Sequence, residues 1–214
     1  MRTLLDLVLP SACAGCGAAG VGWCADCAAV LTHGPVRVQP RTEPGVPCWA
    51  LTKYAGPGRR AVLSAKEHGR RDLAEPLGMA LSTALALLRA EGRPLVLIPA
   101  PSRSVAARRR GGDPMVRTTH AAARWLPDCR VVPMLRVWWG VRDSVGLTAA
   151  QRRHNLRGRI VVARSRCGGA MIPENAEVVL VDDVLTTGAT ASESVRVLAG
   201  IGVPVCAVVV TCAA

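Results

Sequence analysis

The sequence predicts an α/β protein, an open doubly wound parallel sheet preceded by a small N-terminal cysteine knuckle. Short apolar runs alternate with stretches of helical periodicity, the pattern of buried parallel strands joined by crossover helices. Two CxxC pairs lie close together near the N-terminus and account for the knuckle. Half of the 214 residues are apolar, which is ample for a core and excludes a disordered or collagen-like chain. No apolar run reaches the roughly 18 residues a transmembrane helix needs, so no membrane insertion is expected. Phe is absent and the aromatics are Trp23, Trp49, Trp125, Trp138, Trp139 and Tyr54, so Val, Leu and Ala must build the core. With aromatics so scarce, at least two of Trp125, Trp138 and Trp139 are expected to be buried.

At the N-terminus Leu4, Leu5, Val8 and Leu9 fall on one helical face, while Asp6 interrupts the apolar stretch and Pro10 ends it. That run is shorter than a signal-peptide core, so a short amphipathic helix in a cytoplasmic protein is expected. Cys13-Ala-Gly-Cys16 and Cys24-Ala-Asp-Cys27 follow, separated by seven residues. Each pair supplies two thiolates, Gly15 and Gly17 permit a tight turn, and the spacing suits one tetrahedral Zn²⁺. Disulfides, which need an oxidising compartment, and a redox CxxC pair are the competing readings. Cys48, Cys129, Cys167, Cys206 and Cys212 have no such pattern and read as small apolar fillers.

Pro35, Pro40, Pro44 and Pro47, with Gly34 and Gly45, read as a linker. The expected partition is helix and knuckle over 1–34, linker over 35–50 and main domain over 51–214, with the main domain folding without the knuckle. Residues 58–91 read as helical, broken near Gly69 and Pro76. A first strand over Leu95–Ile98 ends at Pro99, and 113–126 reads as helix. A second strand is expected over Val131, Val132 and Leu135 to Trp138, a third over Glu177–Asp182 and a fourth over Val205–Val210.

Charge is unevenly distributed. Residues 101–172 hold fifteen Arg and three Asp, a net +12 that equals the net charge of the whole chain. Residues 173–214 hold one Arg and five acids, a net −4. A codon bias explains why Arg outnumbers Lys 25 to 2, but not the crowding of cations into one segment. Such a field favours polyanions or multiply phosphorylated small molecules, single-stranded DNA among them. Lys66 is one of only two lysines; a compact ammonium wanted at that position and simple chance are the competing readings of its retention. No histidine has a metal-ligand spacing.

The chemistry is concentrated in Val178-Val-Leu-Val-Asp-Asp-Val-Leu-Thr-Thr-Gly-Ala-Thr190. An apolar strand ends in Asp182 and Asp183, and a Thr- and Gly-rich loop then opens a helix over 191–199. Ligands of open α/β sheets sit at the carboxyl ends of strands, and a helix N-terminus there offers unpaired N–H groups to a phosphate. Gly188 lets the backbone approach the anion, and Thr186, Thr187 and Thr190 supply hydroxyl donors. Asp182 and Asp183 stand where they can accept hydrogen bonds from vicinal sugar hydroxyls. A capping box, Thr190-Ala-Ser-Glu193, explains Thr190 and Glu193 alone and leaves the acids and Thr-Thr-Gly unaccounted for.

Asp182-Asp-Val-Leu-Thr-Thr-Gly-Ala-Thr190 resembles the phosphoribosyl diphosphate (PRPP) binding motif of type I phosphoribosyltransferases. Nearly the whole chain is similar to the ComF family within that superfamily, a group associated with competence and DNA uptake. The shared features are the cysteine knuckle, Tyr54-Ala-Gly56, Lys66 through Arg70, Pro99-Ala-Pro101 with Arg108 to Gly111, and Leu147, Arg152 and Asn155 with Asn155-Leu-Arg-Gly158. Two steps depart from the pattern: Gly112-Asp113-Pro114 stands where Phe-Asn-Gln is usual, and Ser144 where Gln is usual.

The resemblance implies a type I phosphoribosyltransferase-like fold and a site that binds PRPP with Mg²⁺ through Asp182, Asp183, Val184, Leu185, Thr186, Thr187, Gly188, Ala189 and Thr190. Asp182 and Asp183 would be the catalytic acids. Ser102, Arg103, Arg108, Arg110 and Lys66 are candidates for the diphosphate, and Arg152 and Asn155 for a hood over the site. Three functions follow: a phosphoribosyltransferase of nucleotide salvage or competence, a PRPP-sensing accessory of the DNA-uptake machinery proteins, or a single-stranded-DNA-binding module.

Overall fold

The structure is a computed structural model that describes residues 12–102, 112–138, 158–163 and 172–214. Outside the described residues lie the expected N-terminal helix, Arg103, Arg108, Arg110, Trp139, Arg152 and Asn155.

Six strands form the main sheet: β1 (Val36–Val38), β2 (Cys48–Lys53), β3 (Leu95–Pro99), β4 (Cys129–Val131), β7 (Glu177–Leu185) and β8 (Ala207–Ala213). Their order is β1-β2-β8-β7-β3-β4, and every pairing is parallel except β1 with β2. A separate antiparallel pair joins β5 (Leu135–Val137) to β6 (Ile160–Val162). The helices are α1 (Ala25–Ala29), α2 (Gly56–Lys66), α3 (Ala74–Leu88), α4 (Pro114–Ala123) and α5 (Ala189–Ala199), with a 3-10 turn at Arg71–Leu73.

Strand alternation splits the apolar residues between two cores. Leu95, Leu97, Val179, Val181, Val209 and Leu51 face one way and pack under α2, α3 and α4. Val96, Ile98, Val178, Leu180, Val208 and Val210 face the other way, under α5 and the β5–β6 pair. Every residue of β3 is buried, as a central parallel strand covered on both faces requires. Each such Leu, Ile or Val contributes about 1.5–3 kcal/mol on leaving water. Gly78 lets α3 and α4 pack closely, since a Cβ there would meet the Ala122 backbone nitrogen at 2.8 Å.

Four expectations need correction. Residues 35–50, expected as a Pro-rich linker, are part of the main sheet, because they supply β1 and the first three residues of β2. Their prolines lie outside the ladder, where the missing N–H costs nothing, and the Pro47 carbonyl accepts from Val208 N at 2.9 Å. The knuckle, expected to be separated by that linker, packs on the main body. Leu31 sits in the first core at 1% exposure with Ala14 and Trp23 against that cluster, and the Arg60 guanidinium donates to the Gly15 carbonyl. Arg70 donates to the Ala12 and Gly22 carbonyls at 3.1 and 3.2 Å. Pro76 does not break a helix but sits in the first turn of α3, where its lost donor has no intrahelical partner. The single strand expected over 131–138 is two, because Pro133 separates β4 of the main sheet from β5 of the small pair.

The wider expectations hold in their coarse form: the architecture is mixed α/β with a mostly parallel central sheet. Among the described residues no helix is long and apolar enough to cross a membrane.

Candidate functional site

β3 and β7 are neighbours whose onward connections diverge: β3 leads through α4 to β4, and β7 through α5 to β8 on the opposite side. That divergence makes the gap beyond their carboxyl ends the topological switch point, where open α/β sheets bind ligands. Ala100 N donates to the Val181 carbonyl at 2.7 Å, holding the Pro99-Ala-Pro101 turn against β7. Ser102 follows, and its hydroxyl donates to Asp113 Oδ2 at 2.5 Å. Asp113 Oδ1 in turn accepts from Met115 N at 2.9 Å and caps α4, with Pro114 in the first turn. Gly112-Asp113-Pro114 is therefore a helix start.

Asp182 and Asp183 lie within β7, which runs three residues further than expected, pairing Val184 with Cys212 and Leu185 with Ala213. Asp183 N donates to Asp182 Oδ1 at 2.8 Å, and the Lys66 ammonium, at the last residue of α2, lies 2.7 Å from Asp183 Oδ2. Burial lowers the Lys66 pKa, but the charges of Asp183 and Asp182 outweigh it and hold the ammonium above the usual lysine range. Burial and the neighbouring Asp183 charge push the Asp182 carboxyl up to about 7, against the lowering effect of Lys66. Folded Asp182 thus keeps a proton that the unfolded chain has released between about pH 4 and 7. Stability is expected to fall as pH rises through that window, and Asp182→Asn to flatten the dependence. Urea unfolding of both proteins from pH 4.5 to 7.5 checks this; parallel pH profiles would refute it.

The loop after β7 brings Thr186, Thr187 and Gly188 to the N-terminus of α5, with Gly188 as its N-cap at φ +82°. Thr186 is exposed, and Thr187 Oγ1 accepts from Ala189 N at 3.4 Å. Segment 40–42 crosses this loop: Thr42 N donates to the Thr187 carbonyl at 2.8 Å. A Cβ on Gly188 would strike the Thr42 carbonyl and stand 2.8 Å from Pro40 Cβ. The glycine is thus required by protein backbone already present. The capping box does not form, since the N-cap is Gly188 and Thr190 is the second residue of α5. Glu193 instead accepts from Gly158 N at 2.6 Å and takes Arg196 at 2.8 Å through two nitrogens.

The sequence did not bring Met115, Thr118 and Thr211 to this site. They line a cavity of about 20 Å³ together with Lys66 and Asp183. Nothing local marks them, because they come from α4 and β8, and only the sheet order unites them with β7.

At the knuckle, the sulfurs of Cys13, Cys16, Cys24 and Cys27 all lie within 4.8 Å of one another, and those of Cys16 and Cys24 are 3.6 Å apart. Zn–S bonds of about 2.3 Å in a tetrahedron put sulfurs roughly 3.8 Å apart, so the cluster fits one Zn²⁺. Burial raises the Cys13 thiol, but hydrogen bonds from the backbone of Cys16, Cys24 and Gly15 bring it down to about 6. Cys27 is pushed up, by burial first and then by the neighbouring sulfurs. Four sulfurs held this close together are the donor set that a cation such as Zn²⁺ takes.

No protein-family model and no curated protein matches the chain. A solved structure described as a glutamine mutant from an analysis of an invariant aspartic acid in HPRTs is similar over 68% of this chain and 66% of that one, just under two thirds of its length. The identity is 15% and the TM-score 0.34.

Proposed function

We propose that this protein is a ComF-type phosphoribosyltransferase-like protein that binds PRPP and Mg²⁺ at the β3–β7 switch point. The observation that supports it is the meeting of the acidic pair and the Thr-Thr-Gly turn opening α5 beside the β3 turn. Thr186 to Thr190 would hold the 5′-phosphate, and Asp182 and Asp183 would accept from the ribose hydroxyls. Ser102, Arg103, Arg108, Arg110 and Lys66 would meet the diphosphate, and Arg152 and Asn155 would cover the site. The carboxylate oxygens of Asp182 and Asp183 are hard donors of the kind Mg²⁺ takes, and with PRPP the ion would neutralise the departing diphosphate. The chain's own work is positioning: it fixes the ribose from the acid side and the leaving anion from the cationic side. A second ion, Zn²⁺, would close the Cys13–Cys27 cluster. Nucleotide salvage or competence in the cytoplasm is the proposed setting, with DNA-uptake proteins as partners.

Calorimetry with PRPP and Mg²⁺ is expected to show binding that Asp183→Asn weakens ten- to hundredfold, the loss of about 1.5–3 kcal/mol from one charge-assisted hydrogen bond. Equal affinity in wild type and variant would place the ligand elsewhere. Release of diphosphate with candidate bases then separates a transferase from a PRPP sensor.

Single-stranded DNA binding is a second reading, favoured by the tryptophans. Contrary to the expected burial, Trp125 and Trp138 are 55% and 51% exposed, and the Arg136 guanidinium lies 5.0 Å from the Trp138 ring centroid. An exposed indole beside Arg offers a stacking surface, worth about 1–3 kcal/mol per base. Oligonucleotide affinity should fall with salt at a log–log slope near −0.7 per phosphate neutralised, and fall again in Trp138→Ala. A flat salt dependence removes this reading.

A further inference from the structure

Two arginines reach from α2 and its C-terminal end to the backbone of the cysteine knuckle, and each lands beside a candidate metal ligand. Arg60, within α2, donates to the carbonyl of Gly15, which precedes Cys16. Arg70, just past α2, donates to the carbonyls of Ala12 and Gly22 at 3.1 and 3.2 Å, the one adjoining Cys13 and the other close before Cys24. Asp72 takes the same guanidinium through both carboxylate oxygens, at 2.9 and 2.7 Å, and fixes its orientation. Four thiolates around one Zn²⁺ carry a net double negative charge, which two guanidiniums match.

The backbone of Arg70 is tied in turn to the switch point. Its N–H donates to the Ser64 carbonyl at 3.1 Å, and Glu67 N donates to the Leu63 carbonyl at 2.7 Å. The last turn of α2 thus closes on the residue that grips the knuckle, with Gly69 at φ +67° turning the chain back. Lys66 ends α2 inside that turn, and its ammonium lies 2.7 Å from Asp183 Oδ2. A single short segment, Ser64 to Arg70, therefore touches the cysteine cluster with one side chain and the acidic pair with another.

We propose that Arg70 is a positioning residue that makes the Lys66–Asp183 pair depend on metal in the knuckle. With the thiolates gathered around a cation, the Ala12 and Gly22 carbonyls are held under the Arg70 guanidinium, and the last turn of α2 sets Lys66 on Asp183. Without the cation, Cys13 and Cys24 separate, Arg70 loses its two acceptors and that turn loosens. The knuckle then governs the ligand site as well as the stability of the chain. The effect on ligand affinity rests on the reading of the switch point as the PRPP site, whereas the effect on Lys66 does not.

Full-length protein carrying ¹³Cε-lysine gives two lysine signals in NMR spectra, from Lys53 and Lys66, and Lys53→Arg assigns them. Asp183→Asn marks the position of an unpaired Lys66. Stripping zinc with the chelator TPEN, which leaves Mg²⁺ in place, is expected to move the Lys66 signal toward that position while Lys53, at the end of β2, stays. Arg70→Ala should keep its zinc and yet show Lys66 already shifted, with no further movement on adding TPEN. In calorimetry with Mg²⁺ present, TPEN and Arg70→Ala should each weaken PRPP binding about five- to tenfold, and PRPP should tighten zinc binding by the same factor as the one TPEN removes. A Lys66 signal unmoved by zinc removal overturns the proposal, as does an unshifted signal in Arg70→Ala or a protein that takes up no zinc. Equal movement of Lys53 would mean general loosening and overturns it too. PRPP binding that ignores both zinc and Arg70 removes this proposal and leaves the PRPP site, whereas intact lysine shifts with no PRPP binding in any form remove only the PRPP site.

Discussion

Purified protein is expected to contain about one equivalent of Zn²⁺, and the Cys16→Ser/Cys24→Ser variant to lose the metal together with roughly 3–5 kcal/mol of stability. The metal half follows from four sulfurs within 4.8 Å, a separation at which unmetallated thiolates repel. The stability half follows from what the knuckle holds in place. Cys24 immediately precedes α1, Cys27 lies inside it, and the chain leaves α1 for Leu31, which is 1% exposed in the cluster that holds Leu51, Ala61 and Leu73. Exposing Leu31 alone costs about 1.5–3 kcal/mol, and Trp23 packs on the same cluster. The three backbone carbonyls now satisfied by Arg60 and Arg70 would lose their fixed geometry as well. Metal analysis and urea unfolding with and without chelator measure the two halves. Protein free of zinc with sulfurs paired as disulfides would defeat the first. An unchanged unfolding midpoint in the variant would show that the main domain is independent after all.

What could be read from the sequence was whatever a single segment carries whole. β3, β7 and β8 are apolar because parallel strands are buried on both faces, and the acids within β7 and the glycine after it belong to the same segment. β1 and β2 were hidden because the prolines that flank them mark the turns between strands as plainly as they would mark a linker. Scarcity of aromatics argued for buried tryptophans. Trp125 instead donates its indole N–H to Glu75 at 3.2 Å, and Trp138 lies beside Arg136, both at the surface. The least legible features join distant segments: Lys66 on Asp183, Ser102 on Asp113, Glu193 on Gly158, Thr42 on Thr187. No periodicity encodes such pairs. Lys66 alone left a trace, as a lysine kept in an arginine-rich chain.

Gly188→Val is expected to remove PRPP binding and to destabilise the ligand-free protein by about 3 kcal/mol or more. Two physical reasons for a glycine meet at this position, and they forecast different things. If Gly188 served only to admit a phosphate, the empty protein would feel little beyond the left-handed strain of φ +82°, about 1 kcal/mol for alanine. The structure adds a second demand, because the Cβ position is already filled by the Thr42 carbonyl and by Pro40 Cβ at 2.8 Å. Backbone cannot swing aside as a side-chain tip can, so segment 40–42 must lift and surrender the Thr42 N–H to Thr187 hydrogen bond. The collision begins at Cβ, so Gly188→Ala should already cause most of the loss, with Val adding a smaller increment for its branched carbons. Urea unfolding of wild type, Gly188→Ala and Gly188→Val without ligand decides between the two. A cost near 1 kcal/mol for Ala would leave phosphate approach as the sole reason for the glycine. A cost near 3 kcal/mol for Ala would make the strap at 40–42 part of what shapes the loop before any ligand arrives.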